Sequence, residues 1–237
     1  MSDESSMSGI EEAVQSMLQR TRVSTPEEAA AWEWRESIAP RLQKAGFDSR
    51  FHKSVELHGL QLATKLQCDA LLRGQGAIVA LVGIRGTGKT TIAAQIAVER
   101  IRAWLQYHAE PDPSKRAVVV RPVPWYFKAA ALVSRYKPLH ADFGSIDSAA
   151  LQTSLEELPD HCGLIVIDEW HECDDQRMRD RVLVDLIDRF YSSRSDVLII
   201  SNQDATDFAT KTNASILSRL DEHGQIIPCK WKSFRTK

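Results

Sequence analysis

The stretch 77–91, "AIVALVGIRGTGKTT", decides how this chain is read. Its first six residues are an apolar run without a charge, the pattern of a strand buried on both faces. The eight that follow, Gly83-Ile84-Arg85-Gly86-Thr87-Gly88-Lys89-Thr90, fit G-x-x-x-x-G-K-[ST] at every position. Such a loop aims its backbone N–H groups, with the first N–H groups of the helix behind it, at a phosphate. Glycine keeps side chains out of that approach and allows the positive φ angles it needs. On this reading the loop from Gly83 to Thr91 cradles the phosphates, Lys89 reaches the β- and γ-phosphates, and Thr90 offers its hydroxyl to Mg²⁺.

The strand-loop-helix pattern repeats its first half downstream. "LIVIDE", residues 164–169, is a second apolar run and ends in two carboxylates. Asp168 suits the Mg²⁺ shell and Glu169 suits the orientation of an attacking water, about 80 residues beyond the loop. Capping of the next helix is the plainer use of such a pair. "LIISNQ", residues 198–203, places Asn202 at a third strand end, where it can touch a γ-phosphate or simply form a turn. Arg219, in "SILSRLDEHG", has Ser215 rather than an acid four residues before it. It suits insertion into a neighbouring subunit's nucleotide site, against a surface ion pair with Asp221 or Glu222.

Around these motifs strands alternate with helices, which predicts a parallel sheet covered on both faces with ligands at the carboxyl ends of its strands. The expected strands are 77–82, "RAVVVRP" at 116–122, "CGLIVIDEW" at 162–170, "DVLIISNQ" at 196–203 and "QIIPCKW" at 225–231, the last an edge strand because of Pro228. Helices are expected from about Ser54 to Gly74, over 90–108, over "PWYFKAAALVSRYK" at 124–137, over 146–160, over 174–194 and over 213–223. Before them, Thr25, Pro26 and Glu28 make a capping-box start to a helix that Pro40 should kink and Gly46 should stop. Residues 1–48 therefore read as a small helical extension and 49–237 as the nucleotide domain, with Trp32 and Trp34 serving either packing or docking.

Composition narrows the class. With 237 residues, 43% hydrophobic and 26% charged, the chain can bury a full core. No apolar run is long enough to cross a bilayer and "MSDESSMSGIEEAV" lacks a signal peptide's basic start, which predicts a cytoplasmic protein with no membrane partner. Cys68, Cys162, Cys173 and Cys229 contain no C-x-x-C pair and read as reduced thiols; zinc held by His161, Cys162, His171 and Cys173 has an unsuitable spacing. The net charge of -2 argues against a nucleic-acid coat protein, although residues 211–237 carry six basic residues against two acidic ones.

Taken together, "GIRGTGKT", "LIVIDE", "LIISNQ" and "SILSRL" resemble the AAA+ ATPases of the helicase-loader group, the DnaC and IstB-like proteins, over roughly residues 50–235. The resemblance implies a P-loop AAA+ (ASCE) α/β three-layer sandwich with a parallel five-stranded sheet. It also implies ATP and Mg²⁺ as ligands, Asn202 as the γ-phosphate sensor, Arg219 as a finger acting in trans, and an ATP-dependent homo-oligomer. Only seven residues follow Lys230, so no C-terminal helical lid is expected, as in that group. Unlike the best-known bacterial loaders, residues 1–48 contain no cysteine.

The function this implies is loading of a replicative ring helicase onto single-stranded DNA. Trp125, Tyr126 and Phe127 could stack bases, with Lys128, Arg135 and Lys137 on phosphates, core packing of the rings being the competing use. A transposition helper that recruits a transposase is the alternative within the ATPases, and a nucleotide-switched binding module with little hydrolysis the alternative outside them. A small-molecule kinase needs a lid and generally lacks a carboxylate like Glu169.

Overall fold

The computed structural model describes residues 33–53, 55–109, 124–140, 162–172 and 176–234. A π-helical turn, Trp34–Ile38, runs into α1 (Ala39–Lys44), and a 3₁₀ turn, Ser49–Phe51, leads to α2 (Gly59–Leu71). Then follow β1 (Ile78–Val82), α3 (Lys89–Ala109), β2 (Trp125–Lys128), α4 (Ala129–His140) and β3 (Leu164–Asp168). The chain continues through α5 (Gln176–Ser192), β4 (Asp196–Ser201), α6 (Ala205–Lys211), α7 (Ala214–His223) and β5 (Gly224–Pro228).

The five strands form one sheet in the order β2-β3-β4-β1-β5, and every pairing is parallel. β4 therefore lies between the strand that feeds the phosphate loop and the strand that ends in the carboxylates. Alternation along each strand divides the core in two. Val79, Leu81, Val166 and Leu198 face α2, α3 and the N-terminal segment, while Ile78, Ala80, Ile165 and Ile199 face α4, α5, α6 and α7. Because both faces are covered, the strands read as unbroken apolar runs rather than as alternating ones. β5 lies at an edge, as Pro228 predicts, and among the described residues no helix follows it.

Two expectations change, and others fall outside the described residues. Residues 125–128 are a strand, not the start of a helix; their aromatic content suits a pleated edge, and the helix begins only at the alanine run from Ala129. The expected strand 116–122 and helix 146–160 lie outside the described residues, as do Trp32, His161 and Cys173. The helix expected from Ser54 starts at Gly59, whose φ of 53° follows an extended His58. Near the N-terminus, Pro40 sits in the first turn of α1, where its missing N–H suits the change from π to α winding. Ile38, Leu42, Ala45 and Phe47 belong to the same buried cluster as α3, and Trp34 packs against it.

The turn into β1 is held by one carboxylate. Asp196, fully buried, accepts from the N–H groups of Gly74, Gln75, Gly76 and Ala77 at 2.6, 3.2, 3.2 and 3.1 Å. Arg100 of α3 completes the shell at 2.9 Å. Asp196→Ala leaves four inward N–H groups without their acceptor and Arg100 without its ion-pair partner, so unfolding free energy should fall by about 3 kcal/mol or more. Urea denaturation with an unchanged slope checks this; a loss below about 1 kcal/mol would contradict the assigned role.

Candidate nucleotide site

Parallel strands bring their carboxyl ends to one rim, where the loop after β1, the carboxylates after β3 and Asn202 after β4 all lie. A cavity of about 650 Å³ opens on that rim, lined by the phosphate loop, Lys89, Thr90, Asp168, Glu169 and Asn202. The loop closes the turn from β1 into α3. Gly83 has φ 140°, and a Cβ there would lie 2.7 Å from the Cys229 carbonyl, so both conformation and space require glycine. Gly88 has φ 82°, and a Cβ there would overlap the Gln61 amide.

Lys89 is 4% exposed and donates from Nζ to the carbonyls of Gly83 at 2.6 Å and Ile84 at 2.8 Å. Burial pulls its ammonium below the usual lysine range. A phosphate at the loop would replace two carbonyl dipoles by full negative charge, a stronger acceptor for the same ammonium.

Thr90 Oγ1 donates to Asp168 Oδ2 at 2.8 Å. A hydroxyl and a carboxylate meeting at the first turn of α3 are hard oxygen donors, and they fit Mg²⁺, which takes few protein ligands and completes its shell with water and phosphate. Bound there, Mg²⁺ would supply charge neutralisation to the phosphates. Tyr126, on β2, donates its hydroxyl to the same Asp168 oxygen at 2.9 Å. Burial and the carboxylates of Asp168 and Glu169 push the Tyr126 phenol upward, so it remains a neutral donor that orients Asp168.

Glu169 has φ 55°, a left-handed conformation that a non-glycine residue adopts at a cost of about 1–2 kcal/mol. The turn it makes is closed by Glu172 N donating to Glu169 O at 2.9 Å, and its side chain lines the cavity. Lys128, the last residue of β2, pairs with Glu169 Oε1 at 3.0 Å. Asn202 lies at the end of β4 with Nδ2 3.4 Å from Glu172, whose carboxylate also pairs with Arg85 of the loop.

Arg219 does not line this cavity. On α7 it pairs with Asp188 of α5 at 2.7 Å and donates to the Ser215 carbonyl and hydroxyl, with its guanidinium 5.9 Å from the Tyr191 ring centroid. Its ion-pair partner is thus Asp188, from another helix, rather than Asp221 or Glu222.

Tyr126 and Phe127 are buried, at 8% and 7% exposure, which removes them as base-stacking surfaces. Trp125 is half-buried and stacks on Phe127 with the ring planes 8° apart, Lys128 is exposed, and the side chains of Arg135 and Lys137 lie outside the described residues. Burial pushes the Cys68 and Cys162 thiols to about 12 and the Cys229 thiol to about 11, in keeping with unreactive reduced cysteines. Among the described residues no His, Cys, Asp and Glu cluster resembles a metal centre, and no helix is long and apolar enough to cross a membrane.

Sequence patterns did not single out Gln61, Glu172, Trp231 or Phe234. Gln61 Nε2 donates to the Thr87 carbonyl at 3.2 Å, as does Trp231 Nε1 at 2.8 Å, and Phe234 N donates to Gly86 O at 2.9 Å. These groups hold the loop from outside, and no local pattern marks residues that meet it from so far along the chain.

With this rim assembled, the architecture matches solved structures. The DnaC helicase loader is similar over 73% of this chain and 93% of its own, with a TM-score of 0.51 and 16% identity. DnaI is similar over 77% of this chain and 88% of its own, with a TM-score of 0.52 and 15% identity. The fold is the one seen in the DnaC helicase loader and in DnaI. AMPPCP-bound DnaA from Aquifex aeolicus is similar as well, with a TM-score of 0.51 and 12% identity over 77% of this chain, which spans 50% of that DnaA's length. Neither a family model nor a curated protein matches the sequence.

Proposed function

We propose that this chain is an ATP-driven replication factor that grips a replicative ring helicase and loads it onto single-stranded DNA. The observation that carries the reading is coverage: the likeness extends over 93% of the DnaC loader and 88% of DnaI, but over half of DnaA. The rim supplies chemistry suited to that task. In this reading the loop from Gly83 to Thr91 and Lys89 hold the phosphates of ATP, Thr90 and Asp168 hold Mg²⁺, and Glu169 orients the attacking water. Asn202 reads the γ-phosphate, and Arg219 leaves Asp188 to reach the site of a neighbouring copy in an ATP-dependent oligomer. Residues 1–48 carry partner docking, with those from Ile38 onward held against the ATPase core.

The decisive experiment follows a ring helicase from the source organism onto circular single-stranded DNA. Helicase retained on the circle only when this protein and ATP are both present supports the reading. Equal retention without the protein, or a transposase as the captured partner from host extract, overturns it.

A further inference from the structure

The segment after β5 lies against the nucleotide site, where so far only its grip on the loop has been described. Its path is fixed at three points. Cys229 N donates to Val82 O at 2.7 Å, extending the β1–β5 ladder, and Trp231 Nε1 and Phe234 N reach the Thr87 and Gly86 carbonyls of the loop. Trp231 packs against the core beside the phosphate loop. Phe234 behaves differently: its backbone is pinned, yet it is 66% exposed and lines the same cavity as Lys89 and Asp168. Val55, 39% exposed, lines that cavity too.

Strand order gives the ring its place. The carboxylates stand at the end of β3, two strands from β1 on one side, and the tail arrives from β5, next to β1 on the other. A triphosphate lying over the loop with its γ-end at Glu169 sends its nucleoside toward the β5 side. Phe234 is there, with its ring edge 3.9 Å from the point where a Gly88 Cβ would lie. An aromatic face on a pinned stretch of backbone, wetted until a ligand covers it, suits a planar heterocycle, because the entropy of ordering that backbone is already spent.

We propose that Phe234 is the base-stacking residue of this site, so that the tail forms the wall on which the base of a purine nucleoside triphosphate lies. The inference rests on the nucleotide reading of the phosphate loop. Stacking discriminates little between bases, so ATP and GTP gain alike from this ring; the choice between them is made by other groups.

Calorimetric titration with Mg-ATP and with Mg-tripolyphosphate, which has the phosphates but no base, separates the ring from the loop. Phe234→Ala should weaken ATP about ten-fold and leave tripolyphosphate unchanged, while Phe234→Tyr keeps wild-type affinity for both. The exposed ring makes no side-chain hydrogen bond, so the variants should melt with the wild type. Equal loss for both ligands, no loss for ATP, or tighter ATP binding in Phe234→Ala overturns the proposal, the last by showing a ring that obstructs the site. Lys89→Ala should weaken both ligands. If the wild type binds neither, the nucleotide reading itself fails and this inference falls with it.

Discussion

Arg219→Ala is expected to lower oligomer-stimulated ATP turnover by about 10³- to 10⁵-fold while each subunit still binds ATP. The separation follows from position: Arg219 stands on α7 outside its own cavity, so its loss removes nothing from the nucleotide pocket of the same chain. Its bond to Asp188 is a partly exposed ion pair whose removal should change stability by about 1 kcal/mol or less. A guanidinium entering a neighbour's site meets charge that grows on the phosphate oxygens during transfer, and it therefore acts on the rate more than on binding. Mixing supplies the control. Lys89→Ala subunits cannot hold nucleotide but keep Arg219, so adding them to Arg219→Ala subunits should restore turnover at the intact sites. Unchanged turnover in Arg219→Ala, or loss that no mixture restores, would return Arg219 to its pair with Asp188 as a structural residue.

Glu169→Gln should reduce hydrolysis by about 10²- to 10⁴-fold and keep ATP bound. The amide has nearly the shape of the carboxylate but cannot accept a proton from water or polarise it as an anion does. Lys128, 3.0 Å from Glu169 Oε1, can still donate to the Gln carbonyl oxygen, so the turn at residue 169 should persist. The left-handed backbone at Glu169 supports the assignment, since strain of this kind collects where a side chain must be aimed. Single-turnover hydrolysis with pre-bound ATP isolates the step. A variant that hydrolyses at the wild-type rate would leave Glu169 as a partner of Lys128 alone.

The sequence made the phosphate side of the rim legible and left the opposite walls dark. Gly83 to Thr90 and Asp168-Glu169 are local patterns, each at the end of a strand buried on both faces, and the parallel sheet brings them together as the alternation of strands and helices implies. Trp125–Lys128 was misread as helix because it runs straight into the alanine run of α4 and borrows its pattern. With β2 read as a helix, neither Tyr126 on Asp168 nor Lys128 on Glu169 could be seen, although both follow from a strand beside β3. Gln61, Trp231 and Phe234 meet the loop through tertiary contacts 26 to 148 positions away in the chain, a range at which no periodicity carries information. Asp196 is a similar case: a charged residue opening an apolar strand looks like a boundary marker, and only the folded turn shows the four N–H groups it gathers.

Lys89, buried and aimed at the carbonyls of its own loop, is assigned to the phosphates of ATP, and the hydrolysis, oligomer and partner roles all depend on that assignment. Equilibrium binding of Mg-ATP to the wild type and to Lys89→Ala, with melting temperatures taken alongside, tests it directly. Saturable binding to the wild type and a loss of about 10- to 100-fold or more in a variant that remains folded is the predicted result. Equal affinity in the two proteins would contradict the nucleotide site and every role built on it.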